Sequence, residues 1–88
     1  MLTVSRSTKF IRDYRRELKG QHKSYLDSEF KVVEDLLVAQ QPLPIKYRVH
    51  KIGNLRDLHI RPNLVLIYWL DSNTVYFERI GSHSEVFG

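Results

Sequence analysis

The spacing of hydrophobic positions changes period along the chain, and each change marks an element. Leu2 and Val4 alternate with polar neighbours, the period-2 pattern of a short strand that ends at the turn-forming run Ser5-Arg6-Ser7-Thr8. From Thr8 to Lys19 the period becomes helical. Phe10, Ile11, Tyr14 and Leu18 gather on one arc, with Ser7 placed to cap the start and Gly20 to end the helix. A second helix is expected from Ser24, where Ser24-x-x-Asp27 has the form of a capping box, to about Gln40. Leu26, Phe30, Val33 and Leu37 supply its apolar stripe, and Pro42 and Pro44 stop it. Ile45 to Asn54 reads as an irregular crossing.

Period 2 then returns. In Leu55 to Arg61 the side chains of Asp57, His59 and Arg61 leave one face of a strand while Leu58 and Ile60 leave the other. Pro62-Asn63 is a turn, Leu64 to Leu70 is apolar enough to be a central strand, and Asp71-Ser72-Asn73 links it to a last strand, Thr74 to Ile80. The order β-α-α-β-β-β predicts an α+β fold in which two N-terminal helices pack on a small, mostly antiparallel sheet. Residues 1–88 are expected to form a single domain, because 88 residues with 42% hydrophobic content support one modest core.

Charge narrows the partners. Fourteen Lys and Arg against ten Asp and Glu give +4 and a pI near 9.6, which favours an anionic partner. Lys9, Arg12, Arg15, Arg16 and Lys19 concentrate that charge on the polar arc of the first helix. With no cysteine, disulfide scaffolds and thiolate zinc sites are excluded. The longest apolar run, Leu64 to Leu70, falls far short of the ~20 residues of a membrane span, and no secretory signal opens the chain; no membrane partner and a cytoplasmic location are therefore expected.

Three histidines, His50, His59 and His83, lie in or beside the predicted strands. Imidazole titrates near neutrality, with an unperturbed pKa of ~6.5, and so suits proton transfer. His22 stands outside these segments, and its replacement is expected to be tolerated. A zinc site built from the histidines and Asp57 lacks any short ligand pair such as His-x-x-x-His, and Gly81-Ser82-His83 is not the Gly-x-Ser-x-Gly elbow of a hydrolase. No metal and no cofactor are expected. What remains is acid-base chemistry on a phosphodiester, with Arg56, Arg61 or Arg79 holding phosphate charge and the ribose 2′-OH of RNA as nucleophile.

Arg56-Asp57-Leu58-His59-Ile60-x-Pro62, then Leu66-Ile67-Tyr68, then Glu78-Arg79-Ile80-Gly81-Ser82-His83-Ser84-Glu85-x-Phe87, resembles the YafQ branch of the RelE/ParE superfamily of bacterial toxins. The resemblance implies a ribosome-dependent mRNA endonuclease that enters the ribosomal A site and cuts translated messages. It also implies a cognate antitoxin that holds it inactive, with operator DNA reached only through the antitoxin complex. By position, His50, His59, His83, Arg79 and Phe87 fall on the family's functional residues, and Arg56, Asp57, Arg61 and Asn63 are expected to bind substrate. Two departures stand out. Asn63-Leu64 replaces the family's usual aspartate and tryptophan, and the connection from His50 to Arg56 is short. Asn63 hydrogen-bonds but does not accept a proton as a carboxylate does. The rival readings are a ParE-like toxin that binds a protein target such as DNA gyrase, and a weakened homologue that acts mainly through its antitoxin.

Overall fold

Ser7 turns the chain from strand to helix and fastens the helix to the sheet. Its hydroxyl accepts from the Phe10 amide at 2.9 Å and donates to the Glu78 carbonyl at 2.7 Å. In a computed structural model describing residues 1–88, the chain runs β1 (Thr3–Arg6), α1 (Thr8–Glu17), α2 (Leu26–Val38), a 3₁₀ turn (Ile45–Tyr47), β2 (His50–Ile52), β3 (Leu55–Arg61), β4 (Leu64–Leu70), β5 (Thr74–Gly81) and α3 (His83–Phe87). The strands form one sheet in the order β1-β5-β4-β3-β2. β1 joins β5 in parallel, and the other three pairings are antiparallel. The predicted α+β fold stands, with one strand and one short helix more than the pattern suggested. No helix is long and apolar enough to cross a membrane.

The core lies between the helices and one sheet face. Phe10, Leu26, Phe30, Val33 and Leu37 meet Leu58, Ile60, Leu66, Tyr68, Phe77 and Ile80 there, all buried. Phe77 sits 5.5 Å from Phe10 and 5.1 Å from Phe30 between ring centroids, and such pairs add about 0.5–1.5 kcal/mol each beyond area burial. The unbroken apolar run of β4 has a physical reason. Leu64, Leu66 and Tyr68 belong to this core, while Val65 and Ile67 alternate to the other face, pair with His59 and Asp57 of β3, and are buried there too. α3 folds back against β4 and β5.

Five expectations need correction. The stretch read as an irregular crossing contains β2, which extends the sheet edge beyond β3. α1 stops at Glu17, and Gly20 keeps an ordinary negative φ; the chain leaves the helix through turns that need no left-handed residue. α2 starts at Leu26 with no side-chain cap, since Asp27 accepts instead from the Tyr14 hydroxyl of α1 at 2.5 Å. The face of α1 is rotated as well: Phe10, Asp13 and Glu17 are buried, while Ile11 and Leu18 stay more than a third exposed. His22 is likewise no idle surface residue. It is 2% exposed, hydrogen-bonded to the Tyr25 hydroxyl and 4.0 Å from Glu17, so its replacement leaves buried polar groups unpaired.

Candidate active site

Sheet register builds the site on the face opposite the core helices. The β2–β3 hairpin turns at Gly53, whose φ of +60° favours glycine, and sets His50 directly across from Asp57. Asp57 is 5% exposed; its Oδ1 accepts from the His50 amide at 3.1 Å and lies 3.3 Å from His50 Nδ1. Asp57, expected to bind substrate, holds a histidine in place. His59 follows two residues later on the same face, its ring centroid 6.2 Å from that of His50 and 6.3 Å from that of His83. Its Nδ1 is buried and has no hydrogen-bond partner.

His83 arrives from α3. Ser82 caps that helix by accepting from the Glu85 amide at 3.2 Å, and Glu85 accepts from the Ser82 amide at 2.9 Å, a complete capping box. The cap fixes His83 at the first helical position, and one turn later Phe87 lies with its ring 4.7 Å from the imidazole. His50, His59, His83 and Phe87 therefore form a continuous row from β2 to α3. All but His59 are exposed, which leaves the row open to a polymer.

The arginines are placed differently from expectation. Arg79 Nε donates to Asp13 Oδ2 at 2.6 Å, and its Nη2 reaches the Glu85 carbonyl at 3.3 Å, so its charge braces α1 and α3 rather than standing free for phosphate. Burial pushes the Asp13 carboxyl up, but the Arg79 and Ile80 hydrogen bonds and the Arg79 and Arg16 charges outweigh it and hold it below the ordinary aspartate range. A bulge between His59 and Arg61 breaks the strict alternation and turns Arg61 to α2, where it pairs with Glu29 and lies 3.9 Å over the Tyr25 ring. Arg56 lines a depression with Leu2, Leu43 and Tyr68 on the core side of the sheet. Asn63 is exposed in the β3–β4 turn.

Two cations that sequence reasoning passed over stand beside the row. Lys46 and Arg48 line, with His59 and Arg61, an open groove of about 610 Å³, and Arg48 also borders the depression that holds His50. Arg48 has φ +47°, a left-handed conformation that costs a non-glycine residue about 1–3 kcal/mol and clusters at functional sites. The alternation Lys46-x-Arg48-x-His50 was the available signal.

A sheet backed by helices on one face and carrying a row of imidazoles on the other defines a small RelE-like toxin, the class that the sequence motif resembles. The model of a family described as a bacterial toxin of type II toxin-antitoxin systems, YafQ, matches residues 2–88. The chain belongs to this YafQ family. It is 31% identical to the mRNA interferase toxin YafQ of Escherichia coli K12, over 97% of this chain and 99% of that one. The crystal structure of the E. coli DinJ–YafQ complex superposes with a TM-score of 0.87 at 29% identity, covering 100% of both chains. A metal-bound toxin from Helicobacter pylori superposes with a TM-score of 0.84 at 34% identity, covering 99% of this chain and 100% of that one.

Proposed function

We propose that this protein is the toxin of a type II toxin-antitoxin system: an mRNA interferase that cuts messages in the ribosomal A site in the cytoplasm and is held inactive by a cognate antitoxin. The row of three imidazoles ending in Phe87 carries the reading, because it offers two proton carriers about one phosphate apart beside a cationic groove. The relative from E. coli named an mRNA interferase and the relative crystallised with DinJ support the same activity and the same kind of partner.

In the proposed reaction one imidazole of the His59–His83 pair takes the proton of the ribose 2′-OH. The 2′-oxygen bonds to the adjacent phosphorus, the P–O5′ bond breaks, and the other imidazole gives its proton to the departing 5′-oxygen. A 2′,3′-cyclic phosphate results, which water opens to a 3′-phosphate. Arg48 and Lys46 neutralise charge on the phosphate, taking the role expected of Arg56, Arg61 and Arg79. Asp57 keeps His50 oriented at the end of the row, and Phe87 stacks on a base. The antitoxin meets the exposed cations Lys9, Arg12 and Arg15 of α1 and Lys19 just after it, which suit an acidic segment.

A ribosome programmed with a defined message tests the reading. The wild-type chain is expected to cut the message in the A site and to leave the same RNA intact when free, because so small a site does not orient RNA by itself. Equal cutting of naked RNA refutes the ribosome requirement, and intact message on the ribosome refutes the nuclease. In the same assay Arg48→Ala is expected to lower kcat/KM by about 10–100-fold, the loss of one charge-assisted phosphate contact. An unchanged kcat/KM removes Arg48 from the site.

A further inference from the structure

We propose that Tyr25, Arg61 and Glu29 form a stacking platform for one unpaired RNA base, the base on the far side of the cut phosphate from Phe87. The inference rests on the nuclease reading above and says how that site holds its message.

β2 pairs with β3 only over Leu55–Asp57, so no strand lies outside the rest of β3, up to Arg61. The open groove occupies this edge, with His59 of the imidazole row among its walls and Glu29 and Val32 of α2 opposite. Lys46 and Arg48 line it too and supply charge for the backbone of a passing strand. Arg61 stands two residues beyond His59, roughly 6–7 Å along a strand, which is about one nucleotide of extended RNA. A message whose scissile phosphate lies at His59 and His83 therefore passes over the sheet edge with its next base at Arg61.

The Arg61 guanidinium is set up for a flat ligand rather than for an anion. Its Nε donates to Glu29 Oε1 at 2.8 Å and its Nη2 to Glu29 Oε2, a two-point contact that fixes the plane and offsets the charge. Hydrogen bonding to Arg61 holds the Glu29 carboxyl below its ordinary range, so the pair stays ionised at neutral pH. One face of the guanidinium lies on the Tyr25 ring, with Cζ 3.9 Å from the ring centroid, and Tyr25 is itself hydrogen-bonded to the buried His22. With Tyr25 beneath it and Glu29 along one edge, the group keeps its opposite face and Nη1 open, and the side chain is 43% exposed. Unstacked bases lie on guanidinium planes as they do on aromatic rings.

Ribosomes are programmed with a message that carries 2-aminopurine, whose fluorescence falls on stacking, at one or the other nucleotide flanking the cut. A 2′-deoxyribose at the cleaved nucleotide removes the nucleophile, so the full chain binds without cutting. Wild type is expected to quench both positions. Arg61→Lys keeps the charge and removes the plane, and it should relieve the quenching at one position only, while Phe87→Ala relieves it at the other. The pair with Glu29 is too exposed for the fold to depend on it, so the melt of Arg61→Lys should match wild type. No quenching by wild type, or quenching that Arg61→Lys leaves intact, overturns the platform.

Cleavage of an all-ribose message gives the second arm. Replacing the base at the Arg61 position by an abasic residue is expected to lower kcat/KM of wild type by about 5–150-fold, the range of one lost stacking contact, with most of the loss in KM. Arg61→Lys should show a similar loss on the normal message and less than about a further twofold on the abasic one, because the two changes remove the same contact. Losses that multiply overturn the platform. A wild-type chain that quenches through Arg61 and never cuts overturns the nuclease reading and still supports the platform.

Discussion

His83→Gln is expected to lose at least ~100-fold in the cleavage step on programmed ribosomes while its thermal melt and ribosome binding stay those of the wild type. General acid or base catalysis contributes about 10²–10⁴-fold, and glutamine keeps a polar side chain of similar reach without the proton transfer. No hydrogen bond of the fold uses the imidazole, which meets only the Phe87 and His59 rings. α3 is capped by Ser82 and Glu85, neither of which bonds to the His83 ring, and His83 is exposed at the rim of the site. Single-turnover cleavage against a circular-dichroism melt separates the two effects. Cleavage within a few-fold of wild type moves the proton transfer to His59 and His50, or leaves electrostatic stabilisation of the phosphate as the source of rate.

Asp13→Asn is expected to cost about 2–4 kcal/mol of stability, which in a domain of this size lowers Tm by more than ~8 °C. Asp13 is 3% exposed and accepts from Arg79 Nε at 2.6 Å, Arg16 Nη1 at 3.2 Å and the Ile80 amide at 3.2 Å. An asparagine amide presents a donor to these donors, and the guanidinium of Arg79 is left without its anion. The figure sits at or below the ~3–5 kcal/mol of a fully buried pair because the Arg79 side chain keeps 29% exposure. The pH dependence has a definite sign. With its folded pKa depressed, the carboxylate contributes stability above the ordinary aspartate pKa of ~3.9, and that stability is lost as pH falls through the folded value. Acid melts of wild type and Asp13→Asn should therefore converge at low pH. Curves that stay parallel down to pH 2 would show that Asp13 carries no such linkage.

The same strut positions the site. Arg79 joins Asp13 on α1 to the Glu85 carbonyl of α3, and Arg16 lies 3.3 Å from the Glu85 carboxylate. These groups close over Gly81, where an added Cβ would lie 2.8 Å from Arg16 Nη2 and 3.0 Å from Glu85 Oε1. Asp13→Asn therefore also loosens α3, and with it His83. Its remaining folded fraction is expected to cleave more slowly than wild type.

Much of the site's membership was legible. His50, His59, His83 and Phe87 were marked by the motif that runs from Arg56 to Phe87, and the structure gathers all of them. The partners of the arginines were not legible, because a charge in sequence says nothing about which carboxylate it will meet. Arg79 meets Asp13, 66 residues earlier, and Arg61 meets Glu29, 32 residues earlier. The cap of α3 was legible and missed: Ser82-x-x-Glu85 is a capping box, hidden among residues read only for chemistry.

The sequence by itself determined the two long helices, the strands β1, β3, β4 and β5, and which strand is central, because side-chain period and apolar runs are local properties. It also determined which face of β3 carries Asp57 and His59. Tertiary structure alone decided that α1 buries Asp13 and Glu17 in place of Ile11 and Leu18, since a carboxylate is stable inside only where distant donors converge on it. It alone decided that a bulge sends Arg61 to α2, and that β2 pairs with β3 to set His50 against Asp57. Register and burial are properties of pairs far apart in the chain, and no local pattern encodes them.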